Sequence, residues 1–189
     1  MKIIKDNKLC FNELTNTLII GSTGSGKSVM GCKLIEYCIK NNLRIALADP
    51  KMVEYFEYND YKNLKFKIAH KEKDMDALAD FITNYNSNEK LYVFLDECAE
   101  VQVLSRKLID VINLKKDNVC VIACTQVPHF LKDEDINSFD YEIVLRLGYR
   151  LEGRLETNLD TDNFKAGEFI VKDLNSKEET DKINNFIIE

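Results

Sequence analysis

The chain has 189 residues, of which 45% are hydrophobic and 31% are charged, and its formal net charge is −6. This balance is typical of a soluble globular protein and excludes a disordered chain. The length suits one domain with a substantial core, so we expect residues 1–189 to form a single domain.

Membrane insertion and secretion are not predicted. No apolar run approaches the roughly 18 residues that span a bilayer, and the charged residues 1–8 lack a signal-peptide core. We therefore expect a cytoplasmic protein. Six cysteines lie in apolar segments without C-x-x-C spacing, which favours buried reduced thiols over zinc or disulfides. They are Cys10, Cys32, Cys38, Cys98, Cys120 and Cys124.

Strand-like apolar runs alternate with helical patterns along the chain, which predicts an α/β fold with a mostly parallel sheet between helices. The predicted strands are residues 17–20, 44–48, 66–69, 91–95, 119–124, 142–147 and 168–171. Apolar residues at i, i+4 spacing predict helices after the first strand, over 75–85 and through 101–112. A capping-box pattern at 176–179 predicts a short last helix that buries Ile183, Phe186 and Ile187.

Residues 21–28 match the phosphate-binding loop pattern G-x-x-x-x-G-K-[ST], with a strand before them and a helix after them. In that context backbone N–H groups and the helix N-terminus face a phosphate, which disfavours a chance glycine-rich turn. Lys27 would reach the β- and γ-phosphates of ATP, and Ser28 would ligate Mg²⁺. The residues expected to bind the nucleotide are Gly21, Ser22, Thr23, Gly24, Ser25, Gly26, Lys27, Ser28 and Val29.

Two adjacent carboxylates, Asp96 and Glu97, follow the buried strand 91–95. Acids beside an apolar core are costly unless they are used, and the carboxyl ends of strands are where open α/β sheets bind ligands. We expect Asp96 to hold the Mg²⁺ shell and Glu97 to polarise the attacking water, which favours hydrolysis. A solvated strand end is the alternative.

A third polar site follows the strand 119–124. Thr125 and Gln126 emerge at the edge of this strand, which we expect to lie between the other two. Gln126 would contact the γ-phosphate or the attacking water. An ordinary strand-to-loop transition is the alternative interpretation.

These elements together resemble the FtsK/SpoIIIE/HerA group of DNA-translocating ATPases. The phosphate loop, the segment Asp49-Pro50-Lys51, the pair Asp96-Glu97 and the segment 124–128 (Cys-Thr-Gln-Val-Pro) occur in the same order as in that group. The resemblance covers about residues 18–171. It implies a RecA-like P-loop NTPase of the additional-strand, catalytic-glutamate type. It also implies a homo-oligomeric ring, a pentamer or hexamer, that moves double-stranded DNA.

In such a ring a basic residue from the neighbouring subunit completes each active site and stabilises charge on the phosphoryl group. Members of the group carry an arginine shortly before the Thr-Gln strand, where this chain has Lys115-Lys116. We favour Arg146 or Arg150 for this role because they follow a predicted strand. The other candidates are Arg106 and Arg154, and a solvent-facing or ion-paired role stays open for each arginine.

Contact with DNA is implied by the resemblance alone, since the chain is acidic and Lys51, Lys71 and Lys73 are equally well explained as solvated side chains. The resemblance favours a bacteriophage genome-packaging ATPase or a mobile-element motor, with a portal or other docking protein as partner and no membrane. Two other classes stay open. A P-loop kinase predicts an arginine-rich lid and no response to DNA, and a nucleotide switch predicts slow turnover and a protein partner.

Overall fold

The apolar runs of the sequence form a six-stranded sheet in the computed structural model, which describes residues 3–147 and 160–189. In chain order the strands are β1 (Ile4–Lys5), β2 (Lys8–Leu9), β3 (Thr17–Ile20), β4 (Arg44–Ala48), β5 (Leu91–Leu95), β6 (Val119–Thr125), β7 (Tyr141–Val144) and β8 (Ile170–Asp173). The helices are α1 (Lys27–Lys40), α2 (Glu72–Thr83), α3 (Cys98–Leu104), α4 (Arg106–Asp110) and α5 (Asp133–Ile136). Short 3-10 turns cover Phe11–Glu13, Phe56–Tyr58, Ile112–Leu114 and Pro128–Phe130.

The sheet has the strand order β4-β5-β6-β3-β7-β8. The first five of these strands are parallel, and β8 pairs antiparallel with β7. The mostly parallel sheet is therefore confirmed, and β6 lies between β3 and β5 as the sequence indicated. Strands β1 and β2 form a separate antiparallel pair.

Helices cover both faces of the sheet because the strand residues are apolar on both sides. On one face Leu18 and Ile20 of β3 belong to the core that includes the apolar sides of α2, α3 and α4. On the other face Ile19 packs in a core with Met30 and Leu34 of α1. The i, i+4 spacing in α1 thus buries one stripe of that helix, as the pattern predicted.

One predicted helix and one predicted strand are interrupted in the structure. Ser105 has an extended backbone (φ −149°, ψ 97°) and divides the predicted helix 101–112 into α3 and α4. Its side chain accepts a hydrogen bond from the Leu108 backbone N–H at 3.2 Å, so the serine caps α4 instead of continuing α3. The predicted strand 66–69 is reduced to isolated bridges beside β4.

The predicted last helix at 176–187 was wrong. The Asp173 carboxylate accepts hydrogen bonds from the backbone N–H groups of Asn175 and Ser176, and Lys177 adopts φ 60°, so a turn replaces the helix start. The chain then runs beside β8. Ile183 exchanges backbone hydrogen bonds of 2.8 and 3.1 Å with Phe169. Pairing along an otherwise open sheet edge satisfies backbone groups that a helix would leave exposed there.

No helix in the described ranges, 3–147 and 160–189, combines the length and the apolar character that crossing a bilayer requires. All six cysteines are free thiols, and four of them are buried, while Cys10 and Cys32 are only half-buried. Burial raises the pKa of the four buried thiols, Cys38, Cys98, Cys120 and Cys124.

Lys116 has a structural position that the sequence did not reveal. Its Nζ donates hydrogen bonds to the backbone carbonyls of Ile82, Thr83 and Tyr85 at 3.2, 2.9 and 2.7 Å. These carbonyls lie at the end of α2 and just after it, so the ammonium group caps the helix. The neighbouring Lys115 is exposed, and its Nζ lies 4.0 Å from Asp140 Oδ1.

We expect Lys116→Met to lower the free energy of unfolding by about 1–3 kcal/mol, since it removes a charged donor from three carbonyls. Lys115→Met is the matched control and should cost less than about 1 kcal/mol, because an exposed ion pair contributes little. Urea denaturation of both variants measures the difference. Equal losses in the two variants would contradict the capping role.

Candidate functional site

Four strands deliver polar residues to one edge of the sheet. The carboxyl ends of β3, β4, β5 and β6 lie together because these strands are parallel and in register. The residues that follow them are Gly21, Asp49, Asp96 and Gln126. The segments that the sequence singled out, including the one that begins at Asp49, are thus brought together.

The loop at 21–26 is held against two later parts of the chain. The Ser22 backbone N–H donates to the Arg146 carbonyl at 2.8 Å, and the Gly167 N–H donates to the Ser25 carbonyl at 2.9 Å. Gly26 has φ 105°, and a Cβ added to it would lie 3.2 Å from the Gly167 nitrogen. Only glycine fits this position without strain, which explains why the motif has a glycine directly before Lys27.

The loop presents the groups that a phosphate needs. Gly26 precedes α1, so the N-terminus of this 14-residue helix points at the loop. Lys27 Nζ donates to the Ser22 carbonyl at 3.1 Å, inside the curve of the loop, and burial lowers the pKa of this lysine. Ser25 Oγ is buried and has no hydrogen-bond partner among the described residues. The donors, the cation and the free hydroxyl fit a bound triphosphate.

Asp96 is a buried acid with an altered ionisation. Burial raises its pKa to about 7, and the nearby carboxylates of Glu97, Asp49 and Glu54 act in the same direction. Ser28, half-buried at the start of α1, carries a hydroxyl. Oxygen donors of this kind suit Mg²⁺, which commonly takes one or two protein ligands and completes its shell with phosphates and water. In the described residues no three His, Cys, Asp or Glu side chains form a metal-binding group.

Glu97 is held by hydrogen bonds from two sides. Gln126 Nε2 donates to Glu97 Oε1, and Lys51 Nζ donates to the same oxygen at 2.9 Å. The side-chain amide oxygen of Gln126, Oε1, accepts a hydrogen bond from the Thr23 hydroxyl at 2.8 Å. A continuous chain of contacts therefore joins the phosphate loop to the Glu97 carboxylate through a single amide.

Lys51 was interpreted from the sequence as a solvated or DNA-facing side chain, and the structure leaves it exposed while adding two acidic partners that the sequence did not reveal. It pairs with Glu97 and lies 3.8 Å from Glu100, and the hydrogen bond to Glu97 raises the pKa of the lysine. The pattern Asp-Pro-Lys was visible in the sequence, but the contact between residues 51 and 97 needs β4 to lie beside β5. Only the strand order could have revealed it.

Asp49 is the organiser of the loop that carries Lys51. Its carboxylate is fully buried and accepts hydrogen bonds from the backbone N–H groups of Lys51, Glu54 and Tyr55 at 3.1, 3.0 and 3.0 Å. Tyr55 in turn packs on α1, where a Cβ added at Gly31 would lie 3.2 Å from the tyrosine oxygen. The buried acid thus fixes the 49–55 loop against the phosphate-loop helix.

The arginines considered for the trans role have different surroundings. Arg146 lies beside the phosphate loop of its own chain, since a Cβ added at Gly24 would be 3.8 Å from Arg146 Nη2. Arg106 makes a bidentate ion pair of 2.6 and 2.8 Å with the buried Asp135. Arg150 and Arg154 lie outside the described residues.

The site combines a strand, a glycine-rich loop and a helix with two acids after β5 and a polar residue after β6, which lies between β5 and β3. This arrangement defines a P-loop NTPase of the FtsK/HerA fold. The sequence model of the family described as "Helicase HerA, central domain" matches residues 8–126. The chain therefore belongs to the HerA helicase central-domain family.

Individual relatives agree with this assignment. DNA translocase FtsK of Campylobacter jejuni is 34% identical over 84 residues, which cover 42% of this chain and 9% of that protein. The matched region is thus a small part of the translocase.

Solved structures match over nearly the whole fold. EccC of Thermomonospora curvata aligns with a TM-score of 0.72 at 16% identity over 95% of this chain and 38% of EccC. The genome packaging NTPase B204 of Sulfolobus turreted icosahedral virus 2, in complex with AMPPCP, gives 0.70 at 14% identity over 92% and 98% of the two chains. The pCW3 conjugation coupling protein TcpA gives 0.68 at 15% identity over 97% and 62%.

Lys27→Ala should weaken nucleotide binding by about 10- to 100-fold, because a charge-assisted hydrogen bond contributes roughly 1.5–3 kcal/mol. Lys40→Ala, at the other end of α1, is the control and should bind like the wild type. Titration calorimetry with a non-hydrolysable ATP analogue measures both. Wild-type affinity in the Lys27 variant would rule out the phosphate-loop assignment.

Proposed function

We propose that this protein hydrolyses ATP and uses the energy to move double-stranded DNA as a homo-oligomeric ring. The observation that carries the proposal is the chain of contacts from Thr23 through Gln126 to Glu97 at the edge of the sheet. It links the site of the phosphates to the acid that can activate water. Membership of the HerA helicase family and the likeness to DNA translocase FtsK supply the DNA substrate.

The proposed chemistry assigns one task to each group. Backbone N–H groups of residues 21–28 and the Lys27 ammonium hold the β- and γ-phosphates. Glu97 accepts a proton from the attacking water, and its hydrogen bonds to Gln126 and Lys51 fix the orientation of the carboxylate. Mg²⁺, held by Ser28 and Asp96, would supply positive charge that stabilises the phosphates during transfer.

Gln126 is suited to report the state of the nucleotide. Its amide oxygen bonds Thr23 in the phosphate loop, and its amide nitrogen bonds Glu97. A γ-phosphate that displaces the Thr23 hydroxyl would reorient the amide and with it the acid. Loss of phosphate would restore the contact, which couples turnover to the loop after β6.

The ring places a basic residue of one subunit at the site of the next. Arg146 lies beside the loop of its own chain, which supports a contact with the nucleotide from within the subunit. We therefore propose Arg150 for the trans role and Arg146 for a role in cis. Arg106 is a weaker candidate because it is paired with Asp135, and Lys116 is a weaker one because its ammonium group bonds three backbone carbonyls.

Viral genome packaging in the host cytoplasm, with a portal or other docking protein as partner, is the specific role we propose. Its support is the alignment with B204 over nearly the full length of both chains. TcpA supports transfer of DNA by a mobile element as the second role. Lys71 and Lys73, exposed at the start of α2, are our candidates for contact with DNA phosphates.

Glu97→Gln should retain ATP and lose hydrolysis by roughly 10²- to 10⁴-fold, since the amide cannot accept the proton of water. Glu100→Gln is the matched control, because Glu100 is exposed and its carboxylate lies 3.8 Å from the same Lys51 ammonium group. Single-turnover hydrolysis together with nucleotide binding separates the two effects. Normal turnover in Glu97→Gln would transfer the role of base to another group.

ATP hydrolysis should increase when linear duplex DNA is added, and light scattering should show a pentamer or hexamer under the same conditions. A kinase instead predicts a monomer or dimer with turnover that needs a small acceptor and ignores DNA. A nucleotide switch predicts slow turnover that responds to a protein partner. A monomer indifferent to DNA, with or without a portal protein, would contradict the motor.

A further inference from the structure

A cavity of about 300 Å³ adjoins the phosphate loop at Gly26. Its floor is Gly26 with Val29 and Lys33 of α1, and its outer wall is the segment 184–186, Asn-Asn-Phe. Gly167 also lines it, and the Gly167 N–H bonds the Ser25 carbonyl of the phosphate loop. The cavity is therefore continuous with the proposed phosphate site.

The wall at 184–186 is held in place on both sides. Ile183 exchanges two backbone hydrogen bonds with Phe169, and the Phe186 ring meets the Phe169 ring edge-on, with centroids 5.6 Å apart. Beyond it, Leu9 of β2 donates to the Ile187 carbonyl and accepts from the Glu189 N–H, both at 2.8 Å. The wall is thus fixed before any ligand arrives, and preorganised groups bind at lower entropic cost.

The chemistry of the wall suits a nucleobase. Phe186 offers an aromatic ring. Aromatic side chains stack on any nucleobase, because every base has an aromatic face. Asn184 and Asn185 each offer an amide that donates and accepts, and such amides pair with the N6 and N7 positions of adenine. Val29, an exposed apolar side chain on the floor, provides the opposite surface.

We infer that this cavity is the site of the adenine base, with Asn184 and Asn185 reading its polar edge and Phe186 contacting its face. The inference rests on the proposed binding of ATP at residues 21–28. It assigns the segment 183–187, which runs as an extended strap instead of the predicted helix, a direct part in nucleotide selection.

The test compares two ligands that share the phosphate loop and differ in the base. The binding of Mg²⁺-ATP and Mg²⁺-tripolyphosphate is measured by calorimetry for the wild type and for the double variant Asn184→Ala, Asn185→Ala. We expect the variant to lose about tenfold in affinity for ATP, the range of a lost amide–adenine pair, and none for tripolyphosphate. Its preference for ATP over CTP should also fall.

Two further variants complete the experiment. Asn86→Ala removes an exposed amide beside Arg44, at the opposite edge of the sheet, and should bind both ligands like the wild type. Phe186→Leu keeps an apolar side chain against Phe169 while removing the aromatic face, and should weaken ATP binding alone.

Each other outcome overturns the inference. Unchanged ATP affinity in the double variant, or equal affinity of the wild type for the two ligands, would show that the wall does not touch the base. An equal loss for both ligands would mean that the wall only supports the phosphate loop, and a loss of oligomer with normal ATP binding would assign the cavity to a neighbouring subunit. If the wild type bound neither ligand, the proposed ATPase itself would fail.

Discussion

The position of β6 between β3 and β5 is the constraint on which the site depends. Parallel pairing sets Ile20 beside Thr125 and Leu95 beside Ala123, so the residues after these strands meet at one edge. Gln126 then stands between the phosphate loop and Glu97 and can bond both. Neighbouring strands are about 4.8 Å apart, so exchanging β5 and β6 would move Gln126 away from the loop and leave the acid without its amide partner.

The second constraint is the buried carboxyl group of Asp49, whose hydrogen bonds all go to backbone N–H groups of the following loop. The Asp49 carboxylate accepts hydrogen bonds from three backbone N–H groups. These bonds offset the cost of burying it and fix the loop that carries Lys51. A loop of this length without such a hub would sample many conformations. The ion pair between Lys51 and Glu97 therefore depends on a hydrogen-bonded carboxylate placed before Lys51 in the chain.

Local patterns were sufficient to predict much of this molecule from its sequence. The phosphate loop and the buried strands at 17–20, 44–48 and 91–95 are each recognisable from a short run of consecutive residues. The helices between the strands predict that the strands are parallel. The last helix was predicted wrongly because Ser176 and Glu179 resemble a cap, while the open edge of β8, which ends at Asp173 just before this segment, pairs with the same residues. The contacts of Lys51 with Glu97 and of Gly167 with Ser25 link residues 46 and 142 positions apart, and no local pattern encodes them.

Glu97 combines a strained backbone conformation with charged neighbours. This residue has φ 46° and ψ 57°, a left-handed conformation that glycine adopts far more readily, directly before α3. Glu97 also follows the buried Asp96, whose pKa is raised to about 7 by burial and by the negative charge of Glu97. A residue chosen for stability alone would be a glycine or an uncharged side chain. A strained acid that is held by Gln126 and Lys51 is consistent with the proposed role of Glu97, in which the orientation of the carboxylate serves the reaction.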